Sequence, residues 1–173
     1  FEERKSSYRP LLPGIEYIGF NNDEDLLKIG AKTAAVVLET IQGGAGFIIP
    51  KNGYLRKVKK RCEEVGALLI LDEIQPGMGR TGKLFAFETF GIVPDILVMG
   101  KGLGGGFPIG AFSTSPTLMK LIQTDPILGH ITTFGGHPVI ASAALATLQQ
   151  ITGGRLMKET LQKEQLFRQL LVH

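Results

Sequence analysis

Three short runs, Ala34 to Leu38, Ala67 to Leu71 and Ile96 to Met99, contain only Ala, Val, Ile, Leu and Met, and each ends in a polar or glycine-rich turn. Unbroken apolarity over four or five residues is the pattern of a strand buried on both faces, as strands are in parallel sheets. The stretches between them are long enough for helices. One is expected from Gly53 to Val65, with Asn52 as N-cap and Gly66 as its stop, and a shorter one from Lys83 to Phe90. Strand and helix in alternation predict an α/β fold. Its mostly parallel sheet would be flanked by helices, with right-handed crossovers and ligands at the carboxyl ends of the strands. Ala111 to Thr114 reads as a further short strand, and helices are expected over Pro116–Ile122, Pro138–Ile151 and Arg155–Val172.

With 43% hydrophobic content in 173 residues the chain can build a real core. Its net charge of +3 is local in origin. Lys51, Arg56, Lys57, Lys59, Lys60 and Arg61 crowd one segment, and without those six of the 19 basic residues the balance against 16 acidic ones turns negative. Leu55, Val58, Cys62 and Val65 form an apolar stripe on the same segment, which puts most of the basic residues on a solvated face, so no nucleic-acid partner is expected. Cys62 is the single cysteine. It permits no internal disulfide, fits a reducing, cytoplasmic setting and is expected in the core. No apolar run reaches the length of a membrane span. His130 and His137 lack metal-ligand spacing with each other or with a third ligand, so no metal is expected.

The 23 glycines cluster at 43–46, 77–82, 100–110 and 135–136, the arrangement of backbone approaching a ligand. Two of the apolar strands end in chemistry. One runs into Asp72-Glu73-Ile74-Gln75, the other into Gly100-Lys101-Gly102. A carboxylate and an amine at neighbouring strand ends can hold one cofactor between them. Glu73 alternates to the other side of its strand from Asp72 and reads as a scaffold contact.

Other glycine signatures fail on context. Gly77 to Lys83 has the glycine and lysine spacing of a phosphate-binding P-loop, but Leu84 stands where Ser or Thr must hold magnesium, and the acidic strand directly precedes the loop. Gly77 to Gly82 and Gly100 to Gly105 also match G-x-G-x-x-G. Neither opens a helix straight from its strand, because residues 72–76 intervene in the first and Gly106-Phe107-Pro108 breaks the second.

A lysine amine bonds a carbonyl cofactor held against it, and pyridoxal phosphate (PLP) also needs a carboxylate to keep its ring nitrogen protonated as an electron sink. In their order along the chain, several motifs resemble the class III, PLP-dependent aminotransferases. They are Leu12-Pro13-Gly14, Glu39-Thr40-Ile41-Gln42-Gly43, Leu71-Asp72-Glu73-Ile74-Gln75, Gly77-Met78-Gly79-Arg80-Thr81-Gly82, Pro94-Asp95-Ile96, Gly100-Lys101-Gly102-Leu103-Gly104-Gly105-Gly106, Pro108-Ile109-Gly110-Ala111 and Thr133-Phe134-Gly135-Gly136. The resemblance implies the large domain of a fold-type I PLP-dependent transferase. By it, Lys101 carries the Schiff base and shuttles the proton, Asp72 pairs with the pyridine nitrogen, Ile74 packs on the ring and Gln75 bonds its hydroxyl. Thr133, with Thr132 beside it, looks like the threonine that reaches the cofactor phosphate of the neighbouring subunit, implying a homodimer with a shared site. Read without the family, both threonines equally fit the start of the turn before Pro138. Glu39 resembles the glutamate lining the pocket in enzymes that act on ω-amino groups.

The implied reaction moves an amino group from an ornithine, acetylornithine, diamine or 4-aminobutyrate type of donor to a 2-oxo acid. An aminomutase or decarboxylase on the same scaffold, or a non-catalytic relative, is the alternative. Thr40 stands where proline is usual, Pro76 where Thr or Ser is usual, and His137 where asparagine is common; none of these removes a catalytic group. No segment resembles the family's upstream phosphate loop, the aromatic partner of the other ring face, or the carboxy-terminal domain. The chain opens on Phe1-Glu2-Glu3-Arg4 and stops at His173 inside a helical pattern, as expected of a piece of a longer protein. Residues 1–150 are expected to be the central part of the PLP-binding large domain, and 151–173 a helix leading toward a small domain. Alone, these residues are expected to be inactive.

Overall fold

The computed structural model describes residues 2–124, 127 and 129–171, so Phe1 and the expected helix end at Val172 lie outside the described residues. A short helix, α1 (Glu2–Ser6), opens the chain. Strands β1 (Ala35–Glu39), β2 (Leu68–Asp72), β3 (Ile96–Gly100) and β4 (Gly110–Thr114) form one sheet in the order β1-β2-β3-β4. The first three are parallel, as expected, and β4 runs antiparallel to β3. The short connection 101–109 explains the reversal, because a parallel return needs a crossover of a dozen or more residues.

Helix α2 (Tyr54–Val65) makes the β1–β2 crossover. Its stripe of Leu55, Val58 and Cys62 is buried against Val36, Leu69 and Leu71, the leucine and valine side chains each worth about 1.5–3 kcal/mol of apolar burial. Its N-cap is Gly53 in the left-handed region, not Asn52, which itself sits at φ 50°. Asn52 makes no cap bond because the chain turns left-handed over both residues before entering the helix. The basic face is locally partnered. Lys57 pairs with Asp23, Lys59 with Asp95 at 3.0 Å and Lys60 with Glu64 at 3.9 Å, while Arg56 and Arg61 donate to the carbonyls of Phe90 and Ile29.

Burial on both sheet faces is met only in part. Val36, Leu69 and Leu71 are sealed under α2, but on the opposite face Val37 is 66% exposed and Ile70 half-buried. In register, Glu39 pairs with Asp72 and Asp72 with Val98, so both carboxylates stand on this more open face at the carboxyl edge.

The expected helix over Lys83–Phe90 contracts to a single turn, α3 (Phe87–Phe90), since Gly77–Gly82 holds the preceding residues in consecutive turns. Helices α4 (Pro116–Thr124), α5 (Pro138–Gly153) and α6 (Leu156–Leu170) follow. The last two cover the glycine loops, and α5 runs past residue 151. A Cβ on Gly105 would lie 2.3 Å from Thr147 Oγ1 of α5, and one on Gly82 2.7 Å from Leu161 Cδ2 of α6. Close helix-to-loop approach is what these glycines permit. Among the described residues, no helix is long and apolar enough to cross a membrane.

Candidate active site

Beyond the carboxyl ends of β1, β2 and β3 lies a cleft of about 450 Å³. Ile41, Phe47 and Ile49 wall it from the β1 side, Ile74, Gln75 and Met78 from the β2 side, and Lys101 and Gly102 close it beyond β3. Arg80 and Thr81 join the wall from the glycine-rich loop.

The local chain makes this placement specific. Asp72 Oδ1 accepts the Ile74 N–H at 2.9 Å, which turns the chain sharply out of β2. Ile74 then lies over Gly100, where a Cβ would be 3.6 Å from both Ile74 γ-carbons. Lys101 follows at φ 48°, starting the 3₁₀ turn Lys101–Gly104. Phe47 and Met78 also have positive φ, 58° and 56°, and line the same cleft. Each such residue costs about 1–2 kcal/mol in the left-handed region, so three at one cavity mark a place where the fold imposes strain to aim side chains.

Polar groups here are left open. Gln75, Arg80 and Lys101 make no side-chain hydrogen bond or ion pair among the described residues, and the buried Thr81 hydroxyl has no partner. Asp72 Oδ2 is likewise without a hydrogen-bond partner among them. Glu73 behaves oppositely. It is fully buried and accepts from Thr40 Oγ1 at 2.6 Å and from the Ala86 and Phe87 amides, both at 2.9 Å. Burial pushes its carboxyl above the usual glutamate range, with those three donors pulling it back.

Ile74, Gln75 and Lys101 are thus brought to one cavity. Asp72 and Glu39 stand behind them at the same sheet edge, outside the lining; Glu39 Oε2 accepts the Gly43 N–H at 2.9 Å. Thr132 and Thr133 lie in an exposed turn and do not line this cleft, with the Gly135 N–H donating to the Thr132 carbonyl at 3.2 Å. Sequence reasoning missed Phe47, Met78 and the Thr40–Glu73 pair. The lone aromatic after Gly43-Gly44-Ala45-Gly46 was the one signal available for Phe47. His130 packs edge-on to Phe112 at 5.1 Å, and no metal-binding cluster occurs among the described residues.

The sequence profile of the class-III aminotransferases matches residues 19–173. This chain belongs to that family. The class-III aminotransferase chain is similar to the ornithine aminotransferase of Toxoplasma gondii, with 31% identity and a TM-score of 0.89 over 99% of this chain and 41% of that one. In that relative, crystallised with oxidised glutathione, PLP partly occupies the active site. It is also similar to acetylornithine aminotransferase from Elizabethkingia anophelis (34% identity, TM-score 0.83, 92% of this chain and 40% of that one). N-acetylornithine aminotransferase from Stenotrophomonas maltophilia matches at 36% identity and a TM-score of 0.79, over 92% and 41%. The chain spans about two-fifths of the length of these relatives. Its sheet is that of a fold-type I PLP-dependent transferase. The residues present fit that cofactor: an amine without a partner, a carboxylate with one oxygen free, an apolar side chain on the cleft wall and an open amide stand at one sheet edge.

Proposed function

We propose that the class-III aminotransferase containing this chain transfers an amino group from an ω-amino donor, of the ornithine, acetylornithine, diamine or 4-aminobutyrate type, to a 2-oxo acid. The observation that carries the reading is the amine of Lys101, strained into the cleft and left without a partner beside Ile74 and Gln75. Lys101, Asp72, Ile74 and Gln75 would hold PLP, which when bound supplies a reactive carbonyl and an electron sink. Lys101 Nζ would be the attachment point and, when not bonded to the cofactor, the base that takes the proton from the amine-bearing carbon and returns it. Asp72 would hold the proton on the ring nitrogen through its free oxygen. Ile74 would pack on one ring face and exclude water there, and the Gln75 amide would donate to the ring hydroxyl. Glu39 lines the donor pocket. Over the full cycle the donor leaves as a carbonyl compound and the oxo acid as an amino acid, without net redox change.

Thr133, flanked by Thr132, would serve the cofactor phosphate of a second subunit in a homodimer, in keeping with their exposure and their absence from the lining of this cleft. Residues 1–150 are read as the central part of the cofactor-binding domain and 151–173 as the lead toward a small domain, in a cytoplasmic enzyme.

Borohydride reduction of the full-length protein with PLP, followed by peptide mapping, tests this reading. A stable pyridoxyl adduct on Lys101 is expected, and it should be absent from a folded Lys101→Ala variant. A folded, complete protein with no adduct at Lys101 would sink the proposal.

A further inference from the structure

We propose that Glu73 is a positioning residue which, through Thr40, locks together the two loops that wall the cleft and so sets the geometry in which cofactor and donor are held. The inference rests on the aminotransferase reading for its functional consequence and on the structure alone for the coupling.

Glu73 is tied to both ends of one loop. Its carbonyl accepts the Gly77 N–H at 3.0 Å, where the loop begins, and its carboxylate accepts the Ala86 and Phe87 amides, where the loop ends. Between these ties lie Gly77, Met78, Arg80 and Thr81, all on the cleft wall. Its own N–H donates to the Val98 carbonyl of β3 at 2.9 Å, so the clamp is anchored to the strand that delivers Lys101. The remaining partner is the Thr40 hydroxyl, at the start of the loop that carries Ile41, Gly43 and Phe47 on the other wall.

Thr40 and Glu73 are both fully buried, so neither can exchange its partner for water. A buried acceptor that loses its donor keeps the desolvation cost of the lost bond. The two walls therefore move together or not at all. Glu73 itself does not line the cleft. Its effect on ligands passes through Met78, Gln75 and the Gly43 backbone.

The test uses full-length protein in four forms: wild type, Thr40→Val, Thr40→Ser and Glu73→Gln. Hydrogen exchange without PLP is read at residues 42–48, at 77–87 and in α2 as an internal reference. Thr40→Val should speed exchange about five- to tenfold in both loops, the loss of one buried hydrogen bond, with α2 unchanged; Thr40→Ser should restore wild-type protection. Glu73→Gln, which sets an amide N–H₂ against one of the loop amides, should act in the same direction and more strongly. The dissociation constant for PLP and the KM for the amino donor should rise in Thr40→Val by a similar factor, with kcat nearly unchanged, and return in Thr40→Ser. Unchanged exchange in either loop, equal loosening of α2, or failure of Thr40→Ser to rescue would overturn the coupling. If the wild type takes up no PLP, the aminotransferase reading fails, and the exchange data still decide the coupling.

Discussion

A Cβ on Gly43 would fall 2.2 Å from Oε1 and 2.6 Å from Cδ of Gln75, so the backbone of one cleft wall occupies the space beside the amide of the other. The obstacle is the far end of a flexible side chain. Gly43→Ala should therefore cost less than about 1 kcal/mol of stability while swinging the Gln75 amide out of place and weakening PLP binding several-fold. In a Gln75→Ala background the same substitution should cost no further affinity, a coupling that PLP titration of the four proteins measures. Equal losses in both backgrounds would mean that the Gln75 contact is not the cause.

Lys101 carries a full side chain at φ 48°. Lys101→Gly relieves the left-handed strain and Lys101→Ala retains it, so the glycine variant should be the more stable by about 1 kcal/mol. Both should lose covalent PLP attachment. Urea midpoints compare the two, and an alanine variant at least as stable would argue that the backbone relaxes once the amine is gone.

Gly77 illustrates a contact that cannot give. A Cβ there would meet the Glu73 carbonyl oxygen at 2.6 Å, which is backbone, whereas one on Gly44 meets nothing within 4 Å. Gly77→Ala should destabilise by about 1–3 kcal/mol, and Gly44→Ala should stay within about 0.5 kcal/mol. Denaturant unfolding of the pair provides the check.

Burial raises the Glu73 carboxyl against the opposing pull of Thr40, Ala86 and Phe87. The native state then keeps this proton to higher pH than the unfolded chain does. Stability must fall as pH climbs from the ordinary glutamate value of 4.5 through the raised native value, and level off above it. Glu73→Gln has no proton to lose at this position. The difference in unfolding free energy, wild type minus variant, should decline over that window when followed from about pH 4 to 8; a flat or rising difference would contradict the assignment.

Much of this was legible without a structure because it is written in one dimension. Unbroken apolar runs marked β1 to β3, the Leu55-Val58-Cys62 spacing marked the buried face of α2, and the motifs around Asp72 and Lys101 carried the family. Strand alternation alone turned Glu73 away from Asp72.

What stayed hidden depends on groups far apart in the chain. Thr40 read as a departure from the usual proline, and only the pairing of β1 with β2 reveals that its hydroxyl satisfies a buried carboxylate 33 residues away. Phe47 and Met78 became cleft residues through left-handed backbone at each, a conformation that residue identity does not announce for such side chains. The helix expected over Lys83–Phe90 shrank because local propensity lost to the turns from Gly77 and to the Glu73 carboxylate holding Ala86 and Phe87. Periodicity, composition and strand parity are properties of the chain, so the sequence by itself determined the strands, the core stripe and the chemistry at the strand ends. The shape of the cleft is a sum of hydrogen bonds and close approaches between distant segments, and tertiary structure alone decided it.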